Sequence, residues 1–186
     1  MRPLFGIFGL ALGIGCAVAG AQAAGDKFRL TSPDVKPRAM IDNKHVFNQG
    51  GCKGGNHSPQ LTWHNPPPGT HGYAVTIFDP DAPGHGWWHW AVAGIPATVT
   101  SLPADASASG FLRRIGASEA RNDFGIDGYG GPCPPPGKPH RYQFTIYALK
   151  TDKLDLKSNV HAAVVGFMTH MNLLGQATFT SMYGQP

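Results

Sequence analysis

Residues 131–149 read "GPCPPPGKPHRYQFTIYAL", and the two halves of this stretch obey different rules. In the second half Tyr142, Phe144, Ile146 and Ala148 fall on one face, with Arg141, Gln143 and Thr145 on the other. A period of two in β-branched and aromatic residues argues a strand with one buried side. The first half carries five prolines. Proline fixes φ and removes an N–H donor, so this half is stiff and cannot sit inside a sheet. His140 stands at the junction. Either the loop is a plain connection between strands, or it is a wall that holds a histidine over a pocket.

Outward from this stretch the same strand signals recur. "YAVTIF" (73–78) and "HWAVAGI" (89–95) lie between turn residues, and "FRLTS" (28–32), "RAMI" (38–41), "LTWHN" (61–65) and "ATFTSMY" (177–183) read as further strands. High Gly (25) and Pro (17) suit many turns between short strands rather than a helical bundle. The expected class is all-β with minor α: an antiparallel Greek-key β-sandwich. Near the end the period changes. Val160, Val164, Phe167, Met168, Met171 and Leu174 recur at three and four, with Ser158 or Asn159 as cap and Gly175 as stop. This predicts one C-terminal amphipathic helix whose Met and Phe stripe packs on the sheet. The span 102–139 has little periodicity, and unstructured segments of that length are usually functional loops.

The chain begins with Arg2, an apolar run from Leu4 to Val18 and the tripeptide Ala21-Gln22-Ala23. That is the pattern of a secretory leader cut after residue 23, leaving a single domain over residues 24–186 and a periplasmic or secreted product. A membrane anchor would need a longer run. Lipidation at Cys16 is the other alternative, and Gly13 stands where a leucine-like residue is wanted. Net charge is +4, but the longest basic cluster is Arg113-Arg114, so the footprint of a nucleic-acid binder is missing. After cleavage Cys52 and Cys133 remain, and two cysteines in an exported chain are expected to be joined. No Cys-x-x-Cys or Cys/His quartet supports a metal instead.

Chemistry gathers after the strand 73–78, in "DPDAPGHGWWHWAVAGIP" (79–96). Asp79 and Asp81 are each followed closely by proline, which places them in turn geometry. In alternating geometry Trp87 and His89 share one face while Trp88 and Trp90 take the other. Aspartates also cap turns and tryptophans also fill cores, so spacing alone leaves a purely structural role open. His85 and His89 are four apart, as a metal pair would be, but Gly86 between them argues a turn.

Taken together, "CKGGNHSPQLTW" (52–63), "FDPDAP" (78–83), "WWHWAV" (87–92) and "GPCPPPGKPHRY" (131–142) resemble the phosphatidylethanolamine-binding protein family. The likeness is greatest to its bacterial Raf-kinase-inhibitor-like branch and runs from Phe28 to Tyr183. It implies a β-sandwich flanked by short helices, with a small pocket for a phosphate-type anion such as a phospholipid head group. Carried over residue by residue, it implies Asp79 as the pocket carboxylate, His89 with Trp87 as the strand pair, Gly131 and Pro132 as the wall, and His140 from the His-Arg-Tyr motif. Tyr129, just before the wall, is a further member. Eukaryotic relatives carry a C-terminal helical tail where this sequence stops at Pro186, so regulation of a kinase partner is not carried over.

The residue types suit an anion site. Two imidazoles can donate to phosphate oxygens, and Gly131 lets a ligand approach a main-chain N–H. Asp79 would repel phosphate, so it either orients a histidine or faces the ammonium of a zwitterionic head group; the first role is the expectation. The leading function is therefore an exported binding module without turnover or cofactor. A phosphate-ester hydrolase lacks a Gly-x-Ser-x-Gly elbow, a P-loop and a metal quartet. An inhibitor of a protease or other protein, acting through the 102–139 loop, rests on family analogy. A homodimer is left open.

Overall fold

The computed structural model describes residues 27–157 and 159–185; the leader expected over 1–23, with Cys16, lies outside them. Its strands are β1 (Arg29–Thr31), β2 (Leu61–His64), β3 (Gly72–Asp79), β4 (Trp87–Pro96), β5 (Ser101–Leu102), β6 (Ser118–Glu119), β7 (His140–Leu149) and β8 (Leu173–Tyr183). All pair antiparallel, in a three-stranded sheet ordered β1-β2-β5 and a five-stranded sheet ordered β6-β4-β3-β7-β8. The expected strand at 38–41 reduces to one bridge, Met40 to Met182, because Arg38 takes a φ of 62° that breaks extended geometry.

Period-two alternation assigns the faces. Tyr73, Val75 and Ile77 of β3 and Tyr142, Phe144 and Ile146 of β7 point to one side. There they join Leu30, Leu61, Trp63 and Leu102 from the three-stranded sheet in one buried cluster. Each large side chain so buried contributes about 1.5–3 kcal/mol. The opposite side of the larger sheet, with Ala74, Ala91, Ala93 and Tyr147, receives a helix. Those alanines keep the surface low, so the helix can approach closely.

That helix corrects the sequence reading. Two helices form, α1 (Phe111–Arg114) within the long loop and α2 (Ala162–Met171). α2 buries Ala162, Val165, Gly166 and Thr169, while Phe167 and Met171 are 65% and 62% exposed. Of the expected stripe, Val164, Phe167 and Met171 therefore face outward, while Val160 and Met168 pack against the sheet-side cluster. Close approach selects small residues: a Cβ on Gly166 would overlap the Trp88 ring. Leu174 and Gly175 belong to β8 rather than to the helix, which β8 follows after Asn172 alone.

β4 holds the second departure. Ile77 pairs with Trp90 but Phe78 pairs with Trp88, so His89 is an extra residue in the ladder. A bulge of this kind re-aims side chains. Trp90 enters the main core while Trp88 packs towards α2, so the two do not share a face as alternation predicts.

Candidate functional site

Asp79 ends β3 at the rim of the larger sheet, and β4 and β7 border β3 on either side. Asp79 is 2% exposed. One of its oxygens, Oδ1, accepts the N–H groups of Asp81 (2.8 Å) and Ala82 (3.1 Å), closing the turn that the Asp-Pro-Asp-Ala-Pro run sets up. The other, Oδ2, accepts from His140 Nδ1 at 2.7 Å. With both oxygens engaged, the carboxylate orients the His140 ring and turns Nε2 away from itself. Asp81 has a different task. Arg141 clamps it through its guanidinium and main-chain N–H, which holds the Asp81 carboxyl at about 2.

A cavity of about 250 Å³ opens beside this pair. Its polar lining comes from Asp79, His89, His140, Trp87 and Tyr142, and its apolar lining from Phe124, Pro83, Pro134 and Pro135. His89 is 2% exposed, and its ring meets the edges of Tyr142 (5.1 Å) and Phe124 (5.4 Å). Phe124 in turn stacks on Phe47 and meets Trp87. The two histidines thus do line one cavity, on separate strands either side of Asp79.

They do not play the same part. His89 Nδ1 lies 2.7 Å from the Gly130 carbonyl and 3.2 Å from that of Gly131. Carbonyl oxygen only accepts, so the Nδ1 proton is committed to the wall, and burial holds the ring below the ordinary histidine value. The expectation that both imidazoles donate to a ligand therefore fails for His89 in its neutral form. Two other donors compensate. Tyr142 Oη and Trp87 Nε1 are buried and have no hydrogen-bond partner among the described residues. Burial and the nearby Asp79 charge push the Tyr142 hydroxyl upward, so it remains an O–H donor. Tyr142 was legible only as a core position of β7, because a strand pattern does not say where the core ends and a pocket starts.

The wall also shifts along the chain. Gly131 and Pro132 are buried behind the pocket rather than lining it. The Gly131 N–H donates to Asn56 Oδ1 at 2.8 Å, so it is not offered to a ligand, and the Pro132 carbonyl accepts from Phe47 N–H. Gly131 is needed because a Cβ would strike the main chain of residues 45–47. Tyr129 is likewise structural: its hydroxyl donates to the His45 carbonyl and its ring packs on Trp90. The residues that face the cavity are Cys133, Pro134 and Pro135. They are tied down by the expected Cys52–Cys133 disulfide and by Gln185 Nε2 donating to the Pro134 carbonyl. His140 owes its position to Asp79 and to pairing with Tyr183 in β8, not to the prolines. His85 is exposed in the turn before β4 and does not line the cavity.

An antiparallel β protein with a preformed pocket at the end of its larger sheet is the class these observations define. The family model for phosphatidylethanolamine-binding protein matches residues 31–184, and the chain belongs to that family. It is 51% identical over 166 residues to the UPF0098 protein YbcL of Escherichia coli K12, covering 88% of this chain and 90% of that one. YbhB of the same organism is 40% identical over 156 residues, with 83% and 99% covered. The crystal structure of E. coli YbcL, described as a new member of the mammalian family, superposes with a TM-score of 0.83 at 49% identity, over 87% of this chain and all of that one. A homologue from Chlamydia trachomatis, CT736, gives a TM-score of 0.71 at 26% identity, with 86% and 98% covered.

Proposed function

We propose that this chain is an exported binding protein that holds small phosphate-type or phospholipid head-group anions without turning them over. The observation that carries the reading is the pair of orphaned donors, Tyr142 Oη and Trp87 Nε1, on the lining of the cavity that also contains His140. Buried donors without partners are costly, so they are expected to meet an acceptor. The His140 ring, oriented by Asp79, supplies a further donor when it is cationic. Residues 1–23 would direct the chain to the periplasm or outside the cell. Among the described residues no serine, threonine or free thiol lines the cavity, the Cys133 sulfur being held in its disulfide.

NMR titration with inorganic phosphate and with phosphoethanolamine at several pH values tests this. Both should perturb the resonances of the lining residues and bind more tightly toward acid, where an imidazole held by a carboxylate, as His140 is by Asp79, can donate from both nitrogens. Tight binding left unchanged by both His89→Ala and His140→Ala would sink the proposal. A protein partner is the second reading, favoured by the exposed Val164, Phe167 and Met171 on α2. Loss of a specific partner on replacing these residues, with phosphate affinity intact, would support it.

A further inference from the structure

His89 is fixed in one tautomer. Its main-chain carbonyl accepts from Gly130 N–H at 2.9 Å, and its ring Nδ1 donates back to the Gly130 carbonyl. Turning the ring over would break that bond and the longer one to Gly131 together. With the Nδ1 proton on the wall and burial disfavouring the charged ring, Nε2 is left with its lone pair. Nε2 has no hydrogen bond to protein among the described residues, and His89 lines the cavity. The charged and titratable groups around it are Asp79 and His140 at the rim, Tyr142 beside the ring, and Asp123 on the neighbouring loop. The pocket is therefore mixed: donors at Tyr142 and Trp87, an acceptor at His89, and His140, which donates through Nε2 only when its ring carries both protons.

Resting on the anion-binding reading, we propose that the pocket selects phosphate-type ligands that keep a P–O–H group. The hydroxyl of the ligand donates to His89 Nε2 while its other oxygens accept from Tyr142, Trp87 and His140. Inorganic phosphate and phosphomonoesters, as monoanions, meet this demand. A phosphodiester offers only acceptor oxygens, so it sets lone pair against lone pair at His89 and leaves a buried acceptor unpaired. The favoured ligand is then a free phosphorylated compound or released head group. An intact phospholipid, whose phosphate is a diester, is disfavoured.

Two isomeric probes isolate the effect. Ethyl phosphate and dimethyl phosphate have the same atoms, and both carry one negative charge at about pH 5, below the second phosphate pKa of about 6. Only ethyl phosphate has the hydroxyl. NMR titration should show ethyl phosphate binding about tenfold or more tightly, the effect of one hydrogen bond to a charged partner. At about pH 7 the phosphorus-31 shift of bound ethyl phosphate should stay that of the monoanion. Equal affinities, or a tighter diester, overturn the selectivity and leave the anion site standing. Binding of neither probe at the pocket removes the anion site and this inference together. Glycerophosphoethanolamine matching ethyl phosphate while dimethyl phosphate stays weak would assign the donor to an ammonium, and overturn the role given to P–O–H.

Discussion

A phenol buried without a partner works against its own fold, and Tyr142 sits in that position. Tyr142→Phe should leave stability unchanged or raise it by about 1 kcal/mol, since an unsatisfied hydroxyl is removed with no change of shape. The same change should weaken phosphate binding about 5–10-fold, by loss of one hydrogen bond. Urea denaturation and an NMR titration on one sample separate the two effects. His45 and His89 set a pH response by the same logic. Burial, chiefly, lowers both from the ordinary value of 6.5. The unfolded chain then binds these protons more readily, so their stabilisation is whole above 6.5 and is lost progressively as pH falls from there through the lower folded values. Melting temperature should drop between about pH 7.5 and 5, with a shallower slope in His45→Gln. At this scale Asp79, His89 and His140 were legible as motif residues. The tautomer of His89 was not, because it depends on two carbonyls more than 40 positions away.

Among the elements, α2 shows what periodicity misses. Its spacing of three and four identifies a helix, yet the side it buries is chosen by fit to a sheet floored with alanines. Val165 and Gly166 fit where Phe167 and Met171 would hold the helix off. Phe167→Lys with Met171→Lys should shift stability by less than about 0.5 kcal/mol, whereas Val165→Ala should cost more than about 1 kcal/mol. Thermal melts of the two variants decide between them, and a large loss from the lysine pair would reinstate the buried stripe. β4 carries a parallel lesson. Alternation correctly placed Trp87 with His89, but the bulge at His89 separates Trp88 from Trp90. An inserted residue leaves no mark in a run of aromatics, so nothing local announces the change of face.

Across the whole molecule, the Cys52–Cys133 bond spans 81 positions and joins the loop before β2 to the pocket wall. Chain entropy gives such a link about 4–5 kcal/mol. Reduction, or Cys52→Ser with Cys133→Ser, should lower the urea midpoint accordingly and also weaken phosphate binding, because Cys133 and Pro134 lose their anchor. Unchanged affinity after reduction would assign the wall to its main-chain bonds alone. The cysteine count and the strand pattern made this link and the β class readable from the chain, whereas the partners of the wall, Asn56 and Phe47, lie in a stretch with no periodic signal. The order β4-β3-β7 has a last consequence. Neighbouring strands stand about 4.8 Å apart, so the ribbons bearing the two rings are separated by about 9.6 Å, a gauge set by the peptide backbone. Substitution can alter the depth, polarity or rim of the mouth, but not this span. Divergence in such a scaffold should therefore change the chemistry of the guest before its width.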